Sequence, residues 1–191
     1  EYIVACALST LYLFDKDSST PLWSYSAGGN IGSVMISSGG EYVVIGSEDD
    51  KIYLFGKDSS TPLWSYSTGG DVDSLSISAD GEYIVAGSRD DKLYLWSKGS
   101  STPLWSGSGF SSFPSASVSI SSNGQHIAFS WDDEIYYYKN HVPIATINNV
   151  SSGVFVYGDT VTFNGSATDS DGSVVNYEWS SSIDGILSNQ T

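Results

Sequence analysis

The residue types that most often build chemistry are nearly missing from this chain. Cys6 is its only cysteine, and His126 and His141 are its only histidines. No intrachain disulfide or cysteine-based zinc site can form, and neither histidine has a Cys or Asp at ligand spacing. Seven Lys and Arg stand against 22 Asp and Glu, a formal charge of −15. All the basic residues precede position 140, so the C-terminal stretch is purely acidic. Nucleic acid is excluded as a partner, because it demands clustered Lys and Arg. No apolar run approaches the roughly 18 residues of a membrane-spanning helix. There is no Gly-x-Ser-x-Gly elbow and no phosphate-cradling glycine loop. An apolar period of 3.6 is absent too, which excludes helix and leaves an all-β chain. The first residue is Glu1, not Met, so the lack of a leader peptide carries no information.

What is present is a repeat. Glu41-Tyr-Val-Val-Ile-Gly-Ser-Glu-Asp-Asp-Lys-Ile-Tyr-Leu-Phe55 returns as Glu82-Tyr-Ile-Val-Ala-Gly-Ser-Arg-Asp-Asp-Lys-Leu-Tyr-Leu-Trp96. A shorter version opens the chain, and a degraded one spans residues 125–138. Ser-Ser-Thr-Pro-Leu-Trp-Ser occurs at 18–24, 59–65 and 100–106, which places Trp23, Trp64 and Trp105 at intervals of 41. Apolar content of 40% lets such units bury a core.

Each unit reads as four strands, expected near 31–37, 41–47, 51–56 and 62–67 in one copy. Asp80-Gly81, Gly39-Gly40 and Asn123-Gly124 supply the positive φ of tight hairpins. The Gly-Gly pairs at 28–29 and 69–70 mark further turns. In the third strand Ile52 and Leu54 face one way, Tyr53 and Phe55 the other. A sheet apolar on both faces must be covered on both. Four-stranded sheets stacked radially meet that need. The repeated tryptophans are expected on the outer strand, packing across to the neighbouring sheet.

Ser-Ala-Asp-Gly-Glu-Tyr-Ile-Val-Ala-Gly-Ser (78–88) resembles the WD40 and YVTN repeats of β-propellers. The following Leu-Tyr-Leu-Trp and Ser-Thr-Pro-Leu-Trp segments look like the outer part of a PQQ-type blade. Such repeats are frequent in archaeal and bacterial surface proteins of surface-layer type. The resemblance covers residues 1–141, about three and a half blades, and implies a fold, not an activity. There is no Gly-His pair and no Trp-Asp ending the third strand. Thr-Pro replaces the Thr-Gly of a quinone-docking motif, which disfavours a PQQ-type enzyme.

Beyond Lys139 the repeat fails. Gly158-Asp-Thr-Val-Thr-Phe-Asn-Gly-Ser-Ala-Thr-Asp-Ser-Asp-Gly-Ser173 and Val174-Val-Asn-Tyr-Glu-Trp-Ser180 resemble the start of a PKD domain, an immunoglobulin-like sandwich of extracellular proteins. Val161 and Phe163 alternate with Thr160 and Thr162, as a half-buried strand does. Trp179 falls where such sandwiches bury an aromatic. The family's Trp-Asp-Phe-Gly-Asp-Gly run is replaced here by Trp-Ser-Ser-Ser-Ile-Asp-Gly. The resemblance implies a sandwich over 142–191, incomplete at its C-terminal side.

Two groups of carboxylates are candidate sites. Asp169 and Asp171, alternate acids in a glycine-containing turn, suit calcium; the alternative is a turn in which both cap backbone amides. Calcium apart, no cofactor is expected. The turns Glu48-Asp49-Asp50, Arg89-Asp90-Asp91 and Asp132-Asp133-Glu134 recur once per blade, with Asp71 and Asp73 starting an inner strand. Asp49, Asp50, Asp71, Asp73, Asp90, Asp91, Asp132 and Asp133 would ring one face and receive a cation or basic partner; the alternative is a solvated turn repeated by duplication. Ser33, Ser74, Ser76 and Ser119 are expected toward the propeller channel, too small to form an active site. Three sequons, at Asn149, Asn164 and Asn189, carry little weight in a chain so rich in Ser and Thr.

The expected function is a non-enzymatic scaffold or adhesion protein, extracellular or on the cell surface, contacting protein or glycan partners. The alternatives are a propeller that binds a peptide, glycan or cation, and a PQQ-type enzyme. Glu1 aligns with the start of a second strand and the fourth blade runs out of repeat. The chain is therefore expected to need association, with another copy for instance, to complete a ring.

Overall fold

A computed structural model describes residues 1–108, 117–131, 134–140, 144–150, 163–168, 177–181 and 185–190. All its regular elements within these residues are strands. The chain divides into two compact units, Glu1–Asn140 and His141–Thr191.

The first unit is a run of antiparallel sheets. β1 (Tyr2–Ala7), β2 (Thr10–Asp15) and β3 (Pro21–Ser26) form a three-stranded blade. β4 (Ile31–Ile36), β5 (Tyr42–Ser47), β6 (Lys51–Gly56) and β7 (Trp64–Ser67) form a four-stranded one. β8 (Val72–Ile77), β9 (Tyr83–Ser88), β10 (Lys92–Ser97) and β11 (Trp105–Ser108) repeat it. β12 (Val118–Ile120), β13 (His126–Trp131) and β14 (Glu134–Lys139) form the fourth blade, again three-stranded. This is a partial β-propeller. The outer strand of the second blade starts at Trp64, later than the expected 62, and Leu63 N–H bonds to Leu54 O of β6 at 2.7 Å.

Three cores lie between the blades. Leu11 and Leu13 meet Val43, Ile45, Tyr53 and Phe55 between the first and second. Val44, Ile52 and Leu54 meet Val72, Leu75, Ile84, Ala86, Tyr94 and Trp96 between the second and third. Val85, Leu93 and Leu95 meet Val118, Ile120, Ile127 and Phe129 between the third and fourth. Tyr53 and Phe55 thus point to one neighbour and Ile52 and Leu54 to the other, as their alternation requires. The outer-strand tryptophans bind the cores across the gap. Trp23 lies 5.7 Å from Phe55 and Trp64 lies 6.2 Å from Trp96, centroid to centroid. Their indole N–H groups donate to the carbonyls of Lys57 (2.7 Å) and Lys98 (2.8 Å) in the following blade.

The hairpin turns pack equally tightly. Gly40, Gly81 and Gly124 have φ of +76°, +76° and +72°, and they lie against Tyr2, Tyr42 and Tyr83, the tyrosines that open β1, β5 and β9 of the preceding blades. Backbone bonds link successive turns, from Ser38 N–H to Ala79 O (3.0 Å) and from Ala79 N–H to Ser122 O (2.9 Å).

In the second unit, β15 (Ile144–Val150) pairs with β16 (Phe163–Thr168), and β17 (Tyr177–Ser181) with β18 (Gly185–Gln190), both antiparallel.

A Cβ at Gly81 would sit 2.5 Å from Tyr42 Cδ2, on a backbone that side chains rarely adopt. Gly81→Ala is expected to destabilise the protein by about 1–3 kcal/mol. Gly99, with nothing within 4 Å of its Cβ position, should tolerate alanine to within about 0.5 kcal/mol. Urea unfolding of the two variants checks this; equal losses would show that the turn does not govern blade packing.

Candidate functional site

The acidic turns between the second and third strands split into two kinds of residue. In the second blade Glu48 and Asp50 are exposed, while Asp49 turns inward. Asp49 Oδ2 accepts a hydrogen bond from the Gly28 N–H of the preceding blade (2.8 Å) and another from the Tyr53 hydroxyl (2.6 Å). The third blade repeats this. Asp90 Oδ2 accepts from Gly69 N–H (3.0 Å), Tyr94 Oη (2.5 Å) and Lys92 Nζ (3.3 Å), and its side chain is only 7% exposed. A Cβ on Gly28 or Gly69 would fall 2.8 Å from the corresponding carboxylate side chain. The glycine pairs therefore serve the close approach of two blades as well as a turn. Ser47 and Ser88 hydroxyls complete the arrangement, donating to the carbonyls of Gly29 (3.2 Å) and Gly70 (2.8 Å).

The electrostatics follow from burial. Burial, and then the hydrogen bond to its aspartate, pushes the hydroxyls of Tyr53 and Tyr94 well above the usual tyrosine range. Burial alone would raise the Asp90 carboxyl. The bonds from Tyr94, Gly69, Ser88 and Lys92 outweigh it and hold the group below the ordinary carboxylate value.

The other candidates lie around this latch. Asp50 and Asp91 are exposed at equivalent turn positions, with φ of +63° and +62°. Asp71, just before β8, and Asp73, within it, are half-buried and both pair with Arg89, at 3.0 Å to Nη1 and 2.6 Å to Nε. Asp132, Asp133, Asp169 and Asp171 lie outside the described residues. Among the described residues, no three of His, Cys, Asp and Glu converge in a way that could hold a metal ion. Ser74 and Ser76, expected on the channel, join blades instead. Their hydroxyl oxygens accept from the N–H groups of Val118 (3.0 Å) and Ile120 (3.3 Å) on the inner strand of the next blade.

Sequence reasoning misses the Asp–Tyr–Gly latch, although its signal is there. Asp49 and Tyr53, like Asp90 and Tyr94, stand four residues apart, each aspartate 21 residues after a repeated glycine.

Residues 60–97 match the family model described as WD domain, G-beta repeat. The matched stretch runs from the outer-strand segment of the second blade through the third strand of the next. No curated protein matches the chain. A WD40 repeat set in stacked antiparallel blades gives this chain the architecture of a protein-interaction scaffold.

Because the Asp90 carboxyl titrates lower in the folded protein than in the unfolded chain, its contribution to stability is complete above the unfolded value and is lost as pH falls through the folded one. Stability is expected to decline below about pH 4, and Asp90→Asn to flatten part of that decline while costing about 1–3 kcal/mol near neutral pH. Denaturant midpoints against pH for both proteins check it. An unchanged acid slope in the variant would remove Asp90 from the account.

Proposed function

We propose that this chain is part of a non-enzymatic scaffold on the cell surface or outside the cell, whose propeller blades bind a protein partner and whose second unit is a PKD-type sandwich. The observation that carries the reading is the matched repeat at 60–97, set in a stack where Asp49, Asp90 and Ser74 join blade to blade. The surface context rests on the PKD-like residues at 158–180. The two antiparallel strand pairs of the second unit accord with a sandwich.

The proposed contact face is the rim formed by Asp50, Asp91, Asp71 and Asp73. Within a chain of charge −15, Arg89 is spent on Asp71 and Asp73 and Lys92 pairs with Asp90. The net negative charge of the chain favours a basic partner through long-range attraction, which salt screens.

Two measurements test this. Intact source cells treated with a membrane-impermeant amine reagent should yield labelled protein without lysis; labelling only after lysis would rule out the surface location. For the rim, a fluorescent oligolysine peptide should bind the purified chain at low salt. Asp50→Asn combined with Asp91→Asn should weaken it severalfold. Equal affinity in the double variant would discard the rim as the binding face.

A further inference from the structure

We propose that Asn123-Gly124, in the hairpin turn between the first and second strands of the fourth blade, is a deamidation site whose reaction waits on the opening of that turn. It involves none of the rim carboxylates and stands whether or not the blades bind a partner there.

The chemistry is that of any asparagine followed by glycine, where no side chain shields the next main-chain nitrogen. The Gly124 nitrogen loses its proton and bonds to Asn123 Cγ. The Cγ–Nδ2 bond breaks, ammonia leaves carrying a proton, and a cyclic succinimide remains. Water then opens the ring at one of its two carbonyls. Opening at Cγ gives aspartate. Opening at the main-chain carbonyl gives isoaspartate, which routes the backbone through Cβ and Cγ. Solvent water is the only co-reactant, and no oxidation state changes.

The turn presents one half of this reaction and withholds the other. Asn123 is exposed, and its Oδ1 accepts from the Ser121 hydroxyl (2.7 Å) and from Gln125 N–H (3.1 Å). Two donors on that oxygen stabilise the negative charge that develops there when Cγ is attacked. Nδ2, the leaving group, donates to Gln125 Oε1 at 3.1 Å. The nucleophile, by contrast, is masked. Gly124 is buried against the Tyr83 ring, with φ of +72°. Its N–H donates to Ser121 O at 2.9 Å, and its carbonyl accepts from Asn140 Nδ2 at 3.0 Å. Removing the proton would break the bond to Ser121 and leave a buried anion, which outweighs the help given at Oδ1. Reaction therefore belongs to the open turn, the same state from which the Gly124 amide exchanges its hydrogen.

The third blade shows how the product fits. Asp80 holds the matching place there and the contacts repeat. Asp80 Oδ1 accepts from the Ser78 hydroxyl (2.6 Å) and from Glu82 N–H (3.0 Å), while Gly81 N–H donates to Ser78 O (3.0 Å). An aspartate at 123 thus enters a setting that already holds one elsewhere in the chain. Isoaspartate instead lengthens the main chain inside a turn that Gly124 N–H and Ser121 O close. That turn also joins the third blade, through Ala79 N–H to Ser122 O at 2.9 Å. Conversion to isoaspartate is thus a slow, irreversible loosening of one blade junction.

The test incubates the 191-residue chain at mildly alkaline pH, folded and in unfolding urea, with trypsin digestion and mass spectrometry at intervals. Tryptic peptide 99–139 has Asn123 as its sole asparagine, and the other Asn-Gly pair, Asn164-Gly165, falls in 140–191. Deamidation at Asn123 should be at least about tenfold slower in the folded chain than in urea. Across a series of urea concentrations below the unfolding transition, and in Asn140→Ala, it should change in the same ratio as hydrogen exchange at Gly124 read by NMR. Asn123→Asp should melt with the parent, and a large loss of stability there overturns the match to Asp80. Equal rates in folded and unfolded chain, or no deamidation of 99–139 even in urea, overturns the proposal. So does a deamidation rate that stays fixed while Gly124 exchange accelerates.

Discussion

A β-sheet that is apolar on both faces has nowhere in water to stand by itself, and every described feature of the repeat answers that problem. In the second blade Val43, Ile45 and Phe55 point one way and Val44, Ile52 and Leu54 the other, all fully buried. Each sheet is therefore half of two cores. Stacking is a condition for the sheet to exist, and the remaining details set how closely and in what orientation neighbouring sheets meet.

Two kinds of interaction do that, and their sizes differ. Truncating a buried aromatic typically costs about 3–5 kcal/mol, while a single hydrogen bond contributes about 1 kcal/mol net. Cohesion between blades therefore comes from the ring contacts of Trp23, Trp64 and their receiving aromatics. The Asp49 and Asp90 latches are weaker but directional. A carboxylate accepting from the glycine N–H of one blade and the tyrosine hydroxyl of its own admits only a narrow range of blade angles. The same narrowness explains glycine at 28 and 69, where a side chain would displace the acid.

The latch also reduces what the acidic turns can offer a partner. In each described turn one carboxylate is withdrawn into the interface, while the flanking residues stay at the surface. Leu22, Leu63 and Leu104, 54%, 57% and 53% exposed, recur at the start of the outer strands. The stack thus presents charge at its turns and apolar side chains at its outer edge. Both repeat with the blades, a consequence of building a surface from copies of one unit.

Much of this was legible in the residues alone. The 41-residue spacing of Trp23, Trp64 and Trp105 fixed the repeat. The Asp-Gly and Asn-Gly turns fixed the hairpins, and the two-faced apolar strands required stacking, because all three are local properties of the chain. Which aspartate of Glu48-Asp49-Asp50 turns inward was not legible, nor that Ser74 and Ser76 serve the next strand and not a channel. Those outcomes depend on donors far away in sequence, Gly28 for Asp49 and Val118 for Ser74. The sequence determined that sheets must pack face to face; the tertiary structure decided which polar groups the packing buries, since a hydrogen-bonding partner is chosen by distance in space and not along the chain.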